Sequence, residues 1–209
     1  MIQLGRRGFL SAAGAAIASR AWAEGGDGLV RVEFQTGQGT IKFALEAVKA
    51  PLTTANFLKY IDAGRYTGST IYRAVKASAN PLIGLLQGGA KFDPAHPIPP
   101  VAHESTSQTG LRHHDGTLSL ARREPGSGTS DFFICVGEAS YLDADPKASG
   151  DNLGFAAFGQ VIEGMDLVRK MLDLPKTTLA SAPDMPNQML DPPVPITLAR
   201  RLDSAPAGA

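Results

Sequence analysis

The sequence predicts a mainly β domain, an antiparallel barrel or sandwich capped by helices. Three observations lead there: many short apolar segments bounded by turn residues, only two segments with helical periodicity, and no strand–helix alternation of the kind that builds a parallel sheet. At 209 residues, 43% hydrophobic and 19% charged, the chain can bury one core, and nothing demands a second domain.

The elements follow in chain order. Val30, Val32 and Phe34 alternate with Arg31, Glu33 and Gln35, and past Gly37-Gln38-Gly39 the alternation resumes at Ile41, Phe43 and Leu45, predicting an amphipathic hairpin. Pro51 opens a helix whose Thr53, Asn56, Phe57, Tyr60 and Ile61 share one face, with Gly64 placed to stop it. Residues 66–75 and 82–87 read as strands around a loop at 76–81, and the proline-rich stretch 92–109 as irregular surface chain. Residues 117–121 and 132–136 are apolar strands joined by a loop rich in Arg, Gly, Ser and Pro. Residues 140–153 are polar and turn-prone, 155–161 read as a strand, and Met165, Val168 and Leu172 mark a second helix. Six prolines between 174 and 195 argue against regular structure there, ahead of a closing strand at 196–202.

Residues 1–23 carry Arg6-Arg7 before a short apolar run and end on Ala21-Trp22-Ala23, the pattern of a cleaved twin-arginine export signal. The run is too short and too rich in Ala and Gly to span a bilayer. The expected mature domain, 24–209, is periplasmic and has no stable membrane insertion. The chain has 20 basic and 20 acidic residues; losing Arg6, Arg7 and Arg20 leaves 17 against 20, a formal −3 and a poor match for nucleic acid. The single cysteine, Cys135, excludes an intramolecular disulfide and reads as a small buried hydrophobe.

Few local motifs carry chemistry. Gly126-Ser127-Gly128 lacks the third glycine of a phosphate-binding loop. His96, His103, His113 and His114 fit no zinc spacing, so no metal is expected. Asp143, Asp145 and Asp151 resemble the start of a calcium loop, but Lys147 and Gly154 occupy ligand positions. Ser119 lacks a nucleophile elbow, and no His-plus-acid set is recognisable around it.

In order along the chain, IYRAV (Ile71 to Val75), LLQGG (Leu85 to Gly89), GTLSLAR, SDFFICV, YLD (Tyr141 to Asp143) and FAAFGQVIEGMDLV resemble the cyclophilin family of prolyl isomerases over nearly the whole mature chain. The resemblance implies a closed eight-stranded antiparallel β-barrel capped by two α-helices, a monomer without cofactor, and activity on X-Pro bonds of proline-containing polypeptides. By position, Arg73 matches the catalytic arginine and Gln87 the glutamine that orients it. Phe133 and Leu142 match walls of the proline pocket, while Leu85 and Tyr141 stand where the family often has methionine and tryptophan. Ala121 and Arg122 match the edge whose backbone holds substrate, Arg122 in place of asparagine. Other departures are Tyr72 for a histidine, Asp131 for a glutamine, and Phe155 for a histidine on the pocket wall. Asp131 is expected either to help orient Arg73 or to clamp it. Extra residues between Arg73 and Gln87 leave the usual pocket phenylalanine without a counterpart near Ile83 and Gly84. These departures motivate an alternative, a proline-peptide binding module or chaperone with weak or no turnover.

Overall fold

A computed structural model describes residues 28–77, 80–177 and 185–202; the signal-like segment 1–23 lies outside the described residues. Eight strands, β1 Leu29–Thr36, β2 Gly39–Glu46, β3 Ser69–Ala77, β4 Asn80–Gly89, β5 Thr117–Leu120, β6 Phe132–Val136, β7 Ala156–Glu163 and β8 Met189–Arg201, form a closed antiparallel barrel. Their order around it is β1-β2-β7-β5-β6-β4-β3-β8. Because β1 pairs with both β2 and β8, the sheet has no open edge to protect.

Alternation sorts the side chains. Val30, Val32 and Phe34 of β1 and Ile41, Phe43 and Leu45 of β2 point into the core, as the period-2 pattern predicts. Phe34, Phe57, Tyr66 and Phe132 meet there, with ring centroids 4.9–5.9 Å apart. Such rings bury more apolar area per residue than aliphatic side chains, and edge-on contacts add to it.

Helix α1, Pro51–Asp62, begins on a proline whose missing N–H would be unpaired at that position anyway, but Ala50 before it offers no side-chain cap. The cap comes from Glu104, about fifty residues on. Its carboxylate accepts the N–H of Leu52 at 3.1 Å, the N–H of Thr53 at 2.6 Å and the Thr53 hydroxyl at 2.7 Å, and its charge suits the positive end of the helix. α1 packs against β2, β7 and β8.

Three expectations are corrected by the structure. Residues 92–109 end in a one-turn helix, α2 Thr106–Thr109, closed by a capping box between Ser105 and Gln108. Among the described residues the barrel therefore carries three α-helices, the last being α3, Met165–Met171, which buries Val168 and Met171. The strands of the β3–β4 pair run on to Ala77 and back from Asn80, so the extra residues before Gln87 lengthen a hairpin where a loop was expected at 76–81. Strand β8 starts at Met189 and runs through Pro192, Pro193 and Pro195. It tolerates them because β3 pairs Ile71 with Val194 and Arg73 with Met189, so that Tyr72 alone faces residues 190–193. Pro192 and Pro193 thus sit in a bulge, where no ladder N–H is required. Pro195 contributes only its carbonyl, which accepts the Gly37 N–H at 2.9 Å.

Candidate active site

The irregularity that admits the prolines also builds the site. On β3, Ile71 and Ala74 both point into the core, being 1% and 0% exposed. Two residues, Tyr72 and Arg73, lie between them, and the bulge lets both face outward, which strict alternation forbids. They line a cleft of about 520 Å³ on the outside of the barrel, together with Leu85 and Gln87 of β4, Phe133 of β6, and Ala121, Arg122, Asp131, Leu142 and Phe155 from the connecting segments.

Arg73 is half-buried and held on two sides. Its Nη1 donates to Gln87 Oε1 at 2.7 Å, while Nε and Nη2 donate to Gln188 Oε1 at 2.8 and 2.6 Å. Burial pulls its pKa below the ordinary arginine value, yet a guanidinium stays charged in proteins. Asp131 pairs with Tyr72: its Oδ2 accepts the Tyr72 hydroxyl at 2.7 Å, and that hydroxyl in turn accepts from Gln87 Nε2 at 2.8 Å. A relay therefore runs from Asp131 through Tyr72 and Gln87 to Arg73. Burial, followed by the hydrogen bond and charge of Asp131, raises the Tyr72 pKa well above the tyrosine range. Glycine opposite leaves room for this carboxylate, since a Cβ on Gly89 would lie 2.1 Å from Asp131 Oδ1 and displace it.

The apolar side of the cleft is a second cluster, separate from the barrel core. Phe133 and Cys135 point outward from β6, and Leu85, Ala121, Leu142 and Phe155 pack against them. Phe132, one residue away, points inward to the aromatic core, as alternation requires. Phe133 is 4% exposed and meets Phe155 edge-on at 5.3 Å. Burial pushes the Cys135 thiol up to about 12, which keeps it protonated and inert.

Below Phe133 lies His113, its ring stacked at 6.1 Å. One ring nitrogen is 2.7 Å from Asp143 Oδ1 and the other 3.0 Å from Ser119 Oγ, so a His-plus-acid set does surround Ser119, contrary to the sequence reading. Ser119 and His113 are both fully buried, so the hydroxyl meets no substrate and the trio serves as a floor under Phe133. Desolvation lowers the His113 pKa, with Asp143 opposing it. The three acids of the calcium-like pattern diverge: Asp143 holds His113, Asp145 accepts the Lys147 N–H at 2.9 Å, and Asp151 pairs with Arg122. The other histidines also bond separately, His96 to Asp93, His103 to the Leu153 carbonyl and His114 to Glu138.

The Arg122 side chain is turned to the wall rather than to open solvent. Its guanidinium donates to Asp151 at 2.7 and 2.9 Å and to the Gly154 carbonyl at 3.0 Å, and lies 5.4 Å from the Phe155 ring centroid. Arg122 takes Asp151 down to about 2, chiefly through the hydrogen bond. Two departures from the family pattern, Arg122 and Phe155, are thus in contact with each other. Ala121 gives its N–H to the Asp131 carbonyl at 2.8 Å, closing the β5–β6 loop at its base. Tyr141 stands apart: it is 66% exposed on the 3-10 turn Ser140–Leu142 and does not line the cleft.

Sequence reasoning missed Met185 and Met189, which line the cleft at the entry to β8, and Gln188 between them, which accepts from the Arg73 guanidinium. No local signal marks them, because their role depends on pairing with β3, 115 residues away. Near Ile83 the expected absence of an aromatic has a steric counterpart: a Cβ on Gly84 would lie 2.2 Å from the Val75 carbonyl.

Comparison with known proteins agrees with this architecture. The sequence model of the cyclophilin type peptidyl-prolyl cis-trans isomerase/CLD family matches residues 31–197. A peptidyl-prolyl cis-trans isomerase of Acinetobacter baylyi is 32% identical over 75% of this chain and 79% of its own, and isomerase A of Dickeya dadantii is 32% identical over 73% and 76%. Isomerase B of Escherichia coli is 33% identical over 67% and 82%. A cyclophilin type isomerase of Cryptosporidium parvum, crystallised in the presence of the dipeptide Ala-Pro, superposes with a TM-score of 0.62 at 20% identity, covering 83% of this chain and 99% of its own; at that identity it speaks for the fold alone. With barrel, cleft and relatives in agreement, the chain belongs to the cyclophilin-type peptidyl-prolyl cis-trans isomerases.

Proposed function

We propose that the chain catalyses rotation about X-Pro peptide bonds, with Arg73 stabilising the twisted amide while Phe133, Leu85, Leu142 and Phe155 hold the proline ring. The observation that carries this is the shared cleft: a charged donor held only by neutral amide oxygens and an apolar cluster large enough for a pyrrolidine line the same 520 Å³ space.

The chemistry asks for little else. Partial double-bond character gives the amide a barrier of roughly 18–20 kcal/mol, and uncatalysed exchange takes about 10–100 s. No bond is broken, so the catalyst needs only to bind the twisted amide better than either planar form, each ~1.36 kcal/mol of preference giving about tenfold. As the amide twists, its nitrogen becomes pyramidal and gains a lone pair that a guanidinium N–H can meet. A planar, permanently charged donor suits that task. Gln87 fixes where the donor stands, and Asp131 acts on it through Tyr72.

The reading extends to place. Arg6-Arg7 and Ala21-Trp22-Ala23 support export and cleavage, which would put a monomeric mature domain among folding polypeptides in the periplasm. A proline-isomer assay on the mature chain tests the chemistry: turnover in wild type that falls about a hundredfold or more in Arg73→Ala is the expected result. Equal rates in the two proteins would remove Arg73 from the mechanism, and no turnover in either would favour a binding module. Recovery of uncleaved protein from the cytoplasmic fraction would remove the proposed location.

A further inference from the structure

We infer that Gln188 is a positioning residue that decides which edge of the Arg73 guanidinium meets the substrate; this rests on Arg73 being the group that contacts the twisted amide. An arginine has five N–H donors and no acceptor. Gln188 Oε1 takes the Nε–H and one Nη2–H, and Gln87 Oε1 takes one Nη1–H. Three of the five are engaged, which leaves one on each terminal nitrogen. The side edge, Nε with Nη2, is one of the two edges that can grip an acceptor two-pronged, and Gln188 closes it. What remains for a carbonyl oxygen or a pyramidal nitrogen in the cleft is the outer end of the fork.

Two anchors achieve what one cannot. A single bond to Gln87 would leave the guanidinium free to swivel about Nη1, whereas a second acceptor on the far side fixes its plane. The choice of a neutral acceptor matters too. A carboxylate in the same place would hold the arginine equally well but neutralise the charge that the twisted amide needs.

Gln188 is itself placed by backbone. The Ala74 N–H donates to its carbonyl at 2.9 Å, and the next residue, Met189, stands opposite Arg73 in the strand register. Its side chain can therefore be changed without removing a strand bond. Met185 and Met189, on either side of it, line the cleft, so the same segment supplies both an anchor and a wall.

The test uses the full chain and four variants, Gln188→Leu, Gln188→Glu, Arg73→Ala and the Arg73→Ala/Gln188→Leu pair. Exchange NMR on a proline peptide would separate kcat from KM, and the Arg73 Nε–H resonance would report solvent exchange. Expected for Gln188→Leu is a kcat about tenfold lower with KM within about twofold, loss of Nε–H protection, and no further effect in the Arg73→Ala background. Gln188→Glu keeps an acceptor in place, so the Nε–H protection is retained while kcat falls about tenfold through the added negative charge; it carries the test if the leucine variant does not fold, and lost protection or a wild-type kcat in it overturns the role. Wild-type kcat in Gln188→Leu alongside an inactive Arg73→Ala overturns the positioning role and leaves Arg73 intact. An unprotected Nε–H in the wild type also overturns it. Wild-type turnover in Arg73→Ala instead overturns the reading of Arg73, and this inference with it.

Discussion

Replacing Tyr72 with phenylalanine cuts the relay at its middle while keeping the ring that packs beside Arg73. The hydroxyl makes two bonds, donating to the Asp131 carboxylate at 2.7 Å and accepting from Gln87 Nε2 at 2.8 Å. A hydrogen bond to a charged partner contributes about 1.5–3 kcal/mol and a neutral one about 0.5–1.5 kcal/mol. Discounted for half-burial, their joint loss is worth ~2 kcal/mol, or about 4–8 °C in Tm for a domain of this size. Freeing Gln87 also loosens Arg73, so kcat/KM should fall roughly three- to tenfold. A second readout is independent of rate. Because the fold raises the Tyr72 pKa, chiefly through burial and then through Asp131, its contribution is whole below pH ~10, where the unfolded phenol titrates, and is lost as pH rises toward the folded value. The Tm gap between wild type and Tyr72→Phe should therefore narrow above pH ~10. Calorimetry across pH with the isomer assay decides it: an unchanged Tm and an unchanged rate would refute the relay.

Other consequences follow from residues outside the relay. Arg122→Ala removes the clamp on Phe155 and on the segment carrying Asp151 and Gly154, so KM should rise about fivefold with kcat nearly unchanged; a fall in kcat alone would contradict a wall role. Glu104→Ala leaves two α1 N–H groups and the Thr53 hydroxyl without their acceptor, a loss of about 3 kcal/mol readable as a lower urea midpoint at unchanged slope. His113, desolvated under Phe133, should titrate by ring-proton NMR below ~6.5; its contribution to stability is present above that pH and lost as pH falls through the lower folded value. A midpoint at or above the ordinary histidine value would contradict its burial.

Much of the scaffold is legible because it is written in local periodicity. Val30, Val32, Phe34 and Ile41, Phe43, Leu45 face the core wherever their strands pair, since side chains alternate whatever the neighbour. The same rule separates Phe132 from Phe133 and gives one to the core and one to the cleft. Helix α1 announces itself through Pro51 and its apolar face, although its cap does not, because Glu104 is distant in the chain. The prolines of β8 misled for a related reason: proline forbids a ladder bond only where the ladder needs one, and a bulge opposite Tyr72 removes that need.

The cleft is where local reasoning stops. Resemblance brought Arg73, Gln87, Leu85, Phe133, Leu142 and Phe155 onto one list, and the structure brings them to one cleft and leaves Tyr141 outside it. That Asp131 meets Tyr72, that Arg122 lies by Phe155, and that Gln188 closes the arginine fork all depend on contacts across 29 to 115 residues. By itself, then, the chain's order of residues determined which side chains face in and which face out, because that follows from backbone geometry one residue at a time. Only the tertiary structure decided which outward-facing groups meet, because register and a single bulge in β3 set those distances, and a shift of one residue there would turn Arg73 away from the cleft.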